Sequence, residues 1–265
     1  MNIKTIAVFA AGLLLAGCVT RYEAGEADPS RLLVRETVFR SGEEPSEVRE
    51  FSYSPAGQLI QEKLLGEAGR VREIATYSYS GGRVAERRAC TASGELSGRR
   101  TYTYTAKGLP ETESYYDGKG RLLYVSRFSY NYWGDTNEWT TSDAKGVLIA
   151  STRYTYEKGR LLTLKTIGAQ GSETTVQMSY DAAGRKTRAA YTGATGKPEK
   201  EIAFSYDSQG RLAAEETFSA FGTPLGKTVY AYTDGSRQPG KIYRYDGRGN
   251  QRETIGFTFL STDRS

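Results

Sequence analysis

Aromatic residues recur along the chain in pairs that are separated by one residue, and the pairs repeat every 24 to 27 residues. Residues two positions apart face the same side of a β-strand, whereas the residue between them faces the other side. Because that middle residue is Ser, Thr or Ala, the pattern predicts strands with one aromatic face and one small, mostly polar face. The pairs are Phe51/Tyr53, Tyr77/Tyr79, Tyr102/Tyr104, Phe128/Tyr130, Tyr154/Tyr156, Met178/Tyr180 (with methionine in the first place), Phe204/Tyr206, Tyr230/Tyr232 and Phe257/Phe259.

Glycines keep the same register as the aromatic pairs. One glycine lies three or four positions after each of the first eight pairs, from Gly57 to Gly235, and another lies twelve residues later, from Gly69 to Gly247. Glycine supplies the positive φ that hairpin turns need, so each repeat is predicted to form two antiparallel strands. With a half-repeat at Leu32–Arg40 and a closing strand near Ile255–Leu260, the chain should contain about eighteen strands in a meander.

The predicted fold class is all-β: an antiparallel meander of ~26-residue repeats that forms a coiled, open repeat sheet. A flat sheet of eighteen strands would be about 86 Å wide, so the natural twist of the strands should make it coil. A transmembrane barrel is the rival geometry. The charges in 70–73 and 86–88 (RVRE and ERR) argue against it, because they fall on both faces of their strands.

The composition narrows the chemistry that the chain can perform. The 265 residues include 20 Tyr and 30 Gly but no His, which excludes a Ser-His-Asp triad and histidine-ligated zinc. The net charge of +5 is spread over alternating signs, so we expect no nucleic-acid partner. Acidic residues are interpreted as scattered over turns and rims, and no phosphate-binding loop is present. We therefore expect no catalytic residue, no metal and no cofactor, and the chain is not predicted to be an enzyme.

The first residues read as a secretory signal, with Lys4 followed by an apolar run that is too short to span a bilayer. The quartet Leu15-Ala16-Gly17-Cys18 resembles the lipobox of bacterial lipoproteins. The resemblance implies a signal peptide at 1–17, lipidation of Cys18 and, since no Asp follows Cys18, a place in the outer membrane, on its periplasmic or its surface face. The alternative is an ordinary signal peptide with an incidental cysteine. Residues 18–31 are expected to form a tether with a reach of roughly 20 Å, and 32–265 the repeat domain.

The sequence Tyr-Asp-x-x-Gly-Arg occurs at Tyr116–Arg121, Tyr180–Arg185 and Tyr206–Arg211. It resembles the YD repeats of the RHS family, which implies a coiling β-sheet outside the cytoplasm with a binding or scaffolding role. The family's larger members form shells around toxins. Because no distinct cargo follows Leu260, an encapsulated toxin is not expected here.

Two tryptophans interrupt the repeat. Trp133 and Trp139 occupy positions that are small or polar in the other repeats, and Tyr132, Asp135 and Asn137 lie beside them. Together these residues could form a stacking platform for a sugar or an anchor for a partner protein. The alternative is a cross-strand tryptophan pair that stiffens an irregular turn.

The tyrosine ladder and Cys90 are both interpreted as structural. The ladder should be the packed face of the sheet, with phenol tips that reach water, although it could also offer a concave surface to a polysaccharide or peptide. Cys90 aligns with apolar positions and is expected to be a buried, inert thiol.

The favoured hypothesis is a lipid-anchored cell-envelope protein that acts as a non-enzymatic protein-interaction or scaffold surface. The alternative is a module that binds cell-wall or surface glycan through aromatic side chains. An envelope hydrolase that uses carboxylates remains a third class. The expected partners are the membrane, through acyl chains on Cys18, and an unidentified envelope protein or glycan.

Overall fold

A computed structural model describes residues 31–40, 42–168, 170–233 and 235–261. Within these ranges the chain forms eighteen antiparallel strands joined in sequence by short turns, with one 3-10 turn at Glu67–Gly69. The signal peptide, Cys18 and almost all of the predicted tether lie outside the described residues. The strands are β1 Arg31–Phe39, β2 Glu47–Tyr53, β3 Leu59–Leu65, β4 Val71–Ser80, β5 Arg83–Thr91, β6 Leu96–Tyr104, β7 Pro110–Asp117, β8 Leu122–Tyr130, β9 Thr136–Asp143, β10 Leu148–Glu157, β11 Arg160–Gly168, β12 Glu173–Tyr180, β13 Lys186–Thr192, β14 Pro198–Tyr206, β15 Leu212–Ser219, β16 Pro224–Ala231, β17 Lys241–Asp246 and β18 Gln251–Ser261.

The sheet closes on itself. β1 pairs with β2 on one side and with β18 on the other, in a register that runs from Arg31 opposite Ser261 to Phe39 opposite Thr254. β9 and β10 are also paired, so every strand has two neighbours. The expectation of an open, coiled sheet is therefore wrong, and the fold is an eighteen-stranded antiparallel barrel. Closure pairs the backbone groups that an open sheet would leave bare at its two edges.

The aromatic face of each strand points into the barrel. The first and second aromatics of the pairs are half-buried or buried, whereas the residue between them is exposed in every pair except the last-but-one, where Ala231 is half-buried. On the aromatic face Arg87 of β5 reaches Glu62 of β3, across the intervening β4. Side chains of next-nearest strands converge on the concave side of a curved sheet, so this face is the inner one. The predicted alternation of faces is confirmed.

The interior is a lumen rather than a packed core. Eighteen strands tilted by about 40° give a barrel about 36 Å across if its section is circular, and side chains about 6 Å long leave a bore of about 24 Å. Among the described residues no large side chain is fully buried. Polar and aromatic contacts between side chains join strands that are neighbours or next-nearest neighbours. The lumen wall is therefore accessible to water.

The turns explain the Tyr-Asp-x-x-Gly-Arg motif. At Asp181 one carboxylate oxygen accepts the backbone N–H of Arg185 at 2.8 Å and the other accepts its Nε–H at 2.8 Å. Gly184 closes the turn with a φ of +82°, where a Cβ would be strained. Tyr180 and Asp181 lie at one end of the barrel, whereas Tyr116 and the matching Asp117 lie at the other. The motif is thus a turn device that serves both ends.

Eight tyrosines form a hydrogen-bonded ring at one end of the barrel, which we call the tyrosine end. Each is the second aromatic of its pair, and its hydroxyl donates to a backbone carbonyl 19 or 20 residues earlier, at O···O distances of 2.6 to 3.0 Å. The phenol tips are therefore tied to the neighbouring strand instead of ending in water. The ring consists of Tyr53, Tyr79, Tyr104, Tyr130, Tyr156, Tyr180, Tyr206 and Tyr232.

The outer face is polar. Its ion pairs include Arg153–Glu138 at 3.0 Å and Lys165–Glu173 at 2.8 Å, and exposed Ser and Thr side chains fill the positions between the aromatics. A lipid-embedded barrel needs an outward apolar band about 25 Å tall. The described strands present polar and charged side chains on this face instead.

Helices contribute little to the described part of the chain, and none of them has the length and apolarity needed to cross a membrane.

Candidate functional site: the lumen wall

A row of side chains runs around the lumen at one level. Each member lies directly opposite the first aromatic of a pair on the adjacent strand. Trp139 therefore shares its position with charged residues, as its alignment with Glu62, Arg87, Glu113 and Glu215 indicates. The lumen row is Glu36, Glu62, Arg87, Glu113, Trp139, Leu164, Ala189, Glu215 and Ile242.

One part of the wall, which we call the ionic sector, spans β2 to β7 and is built around Arg87. Its guanidinium contacts Glu73 at 2.9 Å and Glu62 at 3.5 Å, and its Nε–H donates to the Tyr77 hydroxyl at 3.2 Å. Tyr77 in turn donates to Glu62 at 2.9 Å. Arg49 extends the network, because it lies 3.2 Å from the other oxygen of Glu62. These four charges and one phenol hold one another in fixed positions on the wall.

A second ion pair continues the ionic sector on β6 and β7. Arg100 contacts the nearly buried Glu113 at 3.0 Å, and burial raises the pKa of the Glu113 carboxyl while Arg100 opposes that rise. Glu215, on β15, is also buried and accepts a hydrogen bond from Tyr230 at 3.0 Å. These acidic residues face the lumen and are bonded, so the interpretation that acidic residues are confined to turns and rims is wrong.

Sequence reasoning missed the ionic sector although a signal for it was present. Glu62, Arg87 and Glu113 occupy one column of the repeat, opposite an aromatic that faces inward. Strand alternation alone places that column on the aromatic face. An aromatic face suggests a dry core, however, and a dry core does not predict a network of ion pairs on that face.

The opposite part of the wall is apolar, and we call it the apolar sector. Val176, Met178, Ala189 and Ile202, on β12 to β14, form the buried cluster of the described residues. Half-buried hydrophobic side chains pack around them, namely Leu161, Leu164, Tyr180, Tyr191 and Phe204. The lumen is thus amphipathic around its circumference, with a network of charges on one side and, on the other, aliphatic and aromatic surface on which Lys186 and Lys200 lie over the Phe204 and Tyr191 rings.

The tyrosines of the lumen should resist ionisation. Burial, and next the charge of Glu62, raise the pKa of Tyr77 to about 12, and burial is also the main cause that raises the pKa values of Tyr102 and Tyr230. A raised phenol pKa contributes stability that is complete below pH 10 and is lost as the pH rises through about 12.

We therefore expect tyrosinate absorbance of the folded protein to lag behind that of the urea-unfolded chain, and then to rise cooperatively as the far-ultraviolet circular dichroism of the strands disappears. An absorbance titration of all 20 tyrosines near pH 10 with unchanged dichroism would contradict this.

The structure separates the two tryptophans. Trp133 lies in the β8–β9 turn with 82% of its surface exposed, next to Tyr132, which is 86% exposed. Trp139 lies on β9, faces the lumen and stacks on Phe128 with ring centroids 6.3 Å apart. The candidate residues therefore form neither a shared stacking platform nor a cross-strand tryptophan pair.

The other candidates beside the tryptophans have local roles. Asp135 closes the β8–β9 turn, where its backbone N–H donates to the Asn131 side chain at 2.9 Å. Asn137 is exposed and occupies the bulge between the pairs Ser129–Glu138 and Tyr130–Thr136. The N–H of the Trp139 indole is buried and, among the described residues, has no hydrogen-bond partner. Of the five candidates, Tyr132 and Trp133 alone form a common surface.

One of the two cysteines, Cys90, lies in the described part of the chain. Cys90 is half-buried on the outer face opposite Ile74, rather than buried as its alignment with apolar positions predicts. Cys18 lies outside the described residues. Within 31–261, apart from the three undescribed positions, no cluster of three or more carboxylates or thiols could hold a metal ion.

The two ends of the barrel differ in charge. We count the turn residues together with the strand residues that flank them. Among the described residues, the tyrosine end holds ten basic and four acidic residues: Arg31, Arg83, Lys107, Lys158, Arg160, Arg185, Lys186, Arg211, Arg237 and Lys241, against Asp135, Glu157, Asp181 and Asp207. The far end holds seven basic and nine acidic residues: Arg40, Arg70, Lys119, Arg121, Lys145, Lys197 and Arg248, against Glu43, Glu44, Glu47, Glu67, Glu95, Asp117, Asp143, Glu173 and Asp246.

Comparisons with known proteins add little to this picture. No family model matches the chain, and no curated protein matches it. A porin-like protein from Bacteroides uniformis is 15% identical, with 87% of this chain and 97% of that one covered and a TM-score of 0.49. A porin-like protein from Bacteroides vulgatus is 10% identical, with 85% and 97% covered and a TM-score of 0.39. The TcdB2-TccC3 structure without its hypervariable C-terminal region is 12% identical, with 84% and 15% covered and a TM-score of 0.31. None of these three scores reaches 0.5, so these likenesses assign no function to the chain.

Proposed function

We propose that this protein is a lipid-anchored, non-enzymatic barrel of the bacterial cell envelope that binds a segment of another envelope protein against its lumen wall. The observation that carries the proposal is the division of the wall into an ionic and an apolar sector around a water-accessible bore. A peptide segment with both charged and apolar side chains matches such a wall. The outer face of the described strands is polar and offers no comparable apolar surface.

The lipobox-like quartet that ends at Cys18 supports attachment to a membrane, and the polar outer strands support attachment rather than insertion. Two or three acyl chains, with about 0.8 kcal/mol for each buried methylene, hold a protein on a bilayer essentially permanently. The proposed protein therefore stands in the aqueous compartment beside the membrane.

The bonding of the lumen carboxylates supports a binding role. Glu62 and Glu73 are held by Arg87, Glu113 by Arg100, and Glu215 by Tyr230. Carboxylates that are fixed in this way serve as a charged surface for a guest. The separation of Trp133 from Trp139 weighs against the glycan-binding alternative, since a sugar platform would need both rings on one surface.

Photocrosslinking in intact cells tests the binding surface. A benzophenone amino acid replaces Tyr191, which faces the lumen in the apolar sector, or Tyr243, which faces outward on β17. Both sites are half-buried tyrosines within strands, so Tyr243 is a matched control. We expect a discrete protein adduct from position 191 and none from position 243. An adduct from 243 alone, a glycan adduct from 191, or no adduct from either site would contradict lumen binding of a protein segment.

The same lumen adduct should depend on the charged wall. Glu50→Gln changes a carboxylate on the outer face, whereas Glu62→Gln changes one in the ionic sector. We expect the second substitution to reduce the adduct from position 191 and the first to leave it unchanged. Equal yields in the two variants would contradict a role for the ionic sector.

A further experiment tests the anchor separately. Cys18→Ala should move the protein from the membrane fraction to the soluble fraction and abolish its labelling by radioactive fatty acid. Retention of the variant in the membrane fraction would overturn the lipid anchor without affecting the lumen experiment.

A further inference from the structure

One turn at the tyrosine end differs from all its neighbours in the described chain. The β8–β9 turn places Tyr132 and Trp133 at its tip, where the equivalent turns have small or polar residues such as Ala182 and Ala183. The two rings touch edge to face with centroids 6.1 Å apart, and Asn131 fixes the turn by accepting the Trp133 backbone N–H at 3.0 Å. Two large aromatic rings are thus held rigidly in water.

Basic side chains surround this aromatic tip. Lys107, from the neighbouring turn, lies 5.7 Å from the centre of the Tyr132 ring, and it is exposed together with Lys158 and Arg160 on the other side. The whole tyrosine end carries an excess of basic residues, whereas the far end carries a small excess of acidic ones. Exposed Trp and Tyr beside Lys and Arg is the composition that proteins place at the headgroup level of a bilayer.

The chain also enters the barrel at this end. Arg31, the first residue of β1, pairs with Ser261, and both lie at the tyrosine end. Twelve residues separate Cys18 from Arg31, and twelve residues span at most about 40 Å when fully extended. A lipid on Cys18 therefore favours contact of the tyrosine end with the membrane. Strands of about nine residues that are tilted by about 40° form a wall about 23 Å tall, so contact by the far end would use more than half of that reach along the barrel.

We propose that the tyrosine end docks on the anionic headgroups of a lipid bilayer. Tyr132 and Trp133 are inserted at headgroup level, and the basic residues of the tyrosine end face the lipid phosphates. This inference rests on the lipid anchor proposed at Cys18. The barrel then stands upright on the membrane with one mouth of its lumen toward the lipid and the other toward the aqueous compartment.

Depth-dependent quenching tests this orientation. The purified lipidated protein, with Trp139→Phe so that Trp133 is its one tryptophan, is reconstituted on vesicles of phosphatidylethanolamine and phosphatidylglycerol that contain brominated lipid. The control carries Trp133→Phe, Trp139→Phe and Phe221→Trp, because Phe221 is 96% exposed in a turn at the far end. We expect the brominated lipid to quench Trp133 at least twofold more strongly than the tryptophan at 221.

Flotation of the vesicles tests the lipid anchor at Cys18 independently of docking by the tyrosine end. Protein that floats with the vesicles while both tryptophans are quenched equally would keep the anchor and overturn the docking. Protein that fails to float would overturn both. Shielding of Trp133 from aqueous acrylamide without vesicles would assign the aromatic tip to a contact between copies and would also overturn the docking.

Charge reversal tests the commitment to an anionic surface. Lys107→Glu together with Lys158→Glu should reduce the quenching of Trp133 at least twofold, while Lys119→Glu with Lys145→Glu, exposed at the far end, should leave it unchanged. We also expect weaker quenching on vesicles of neutral phosphatidylcholine. Equal quenching of Trp133 in both charge-reversal variants and on both kinds of vesicle would overturn docking on an anionic surface through the basic residues of the tyrosine end.

Discussion

Replacing Arg87 by methionine is expected to lower the free energy of unfolding by about 2 to 4 kcal/mol, because the change leaves Glu62 and Glu73 without their counter-charge on a half-buried wall. The estimate is below the largest values for buried ion pairs, since the lumen admits water. Methionine retains the unbranched apolar stem of arginine, so loss of the packing of that stem contributes little. Urea denaturation followed by far-ultraviolet circular dichroism measures the change.

The adjacent Arg88 provides the control for this experiment. It points to the outer face, its side chain is 54% exposed, and its ion pair with Glu86 is 3.6 Å long. Arg88→Met should change stability by no more than about 0.5 kcal/mol. In addition, Arg87→Met combined with Glu62→Gln should cost less than the two single losses added together. Equal losses for Arg87→Met and Arg88→Met would show that the lumen network is not a stabilising element.

Replacing Gly118 by alanine is expected to cost about 3 kcal/mol, because a Cβ at this position would lie 2.2 Å from the backbone carbonyl oxygen of Leu96. A backbone atom cannot turn aside as a long side chain can, so the β7–β8 turn and the start of β6 would have to move apart. Gly247 repeats this geometry at the β17–β18 turn, where a Cβ would lie 2.2 Å from the Pro224 carbonyl oxygen. Chemical denaturation of both alanine variants should therefore give similar losses.

A second glycine in the same turn separates crowding from backbone strain. Gly120 has a φ of +79° and open space around its missing Cβ. Gly120→Ala should cost about 1 to 2 kcal/mol, which is the cost of a left-handed conformation alone. If Gly118→Ala proved no more harmful than Gly120→Ala, the close approach of the turn to β6 would not constrain the fold.

The local architecture of the barrel could be predicted from the sequence because each part of it depends on neighbouring residues. Alternation along Tyr77, Ser78 and Tyr79 defines the two faces of a strand, and a glycine such as Gly134 with its φ of +92° defines a turn. These signals operate over a few residues and recur in every repeat. Consequently the strand number and the division into faces followed from the pattern.

Closure could not be predicted, since it depends on curvature that accumulates over eighteen strands. The bulges that bend the strands, such as the one at Asn137, involve residues of no common type, so no residue type in the sequence predicts them. The pairing of Arg31 with Ser261 joins positions that are 230 residues apart in the numbering. Nothing in either strand specifies that the sheet returns to its first strand at that point.

Of the two tryptophans of the candidate site, only the position of Trp133 could be predicted from the sequence. Trp133 departs from the repeat in a turn, and the structure places it on the surface as a departure in a turn implies. Trp139 departs from the repeat within a strand. There its ring stacks on Phe128 of β8 and not on the aromatic rings of the turn. Residues that are close in sequence but alternate between faces do not share a site, and that fact separates the two rings.

Because each repeat corresponds to one hairpin, the number of repeats determines the width of the bore. Every repeat adds two strands, and β1 and β18 meet through the same kind of ladder that joins any other neighbours. Gain or loss of one whole repeat would therefore widen or narrow the bore by about 4 Å without changing how the chain closes. Duplication of a segment of about 26 residues is then sufficient to give the same scaffold a bore of a different width.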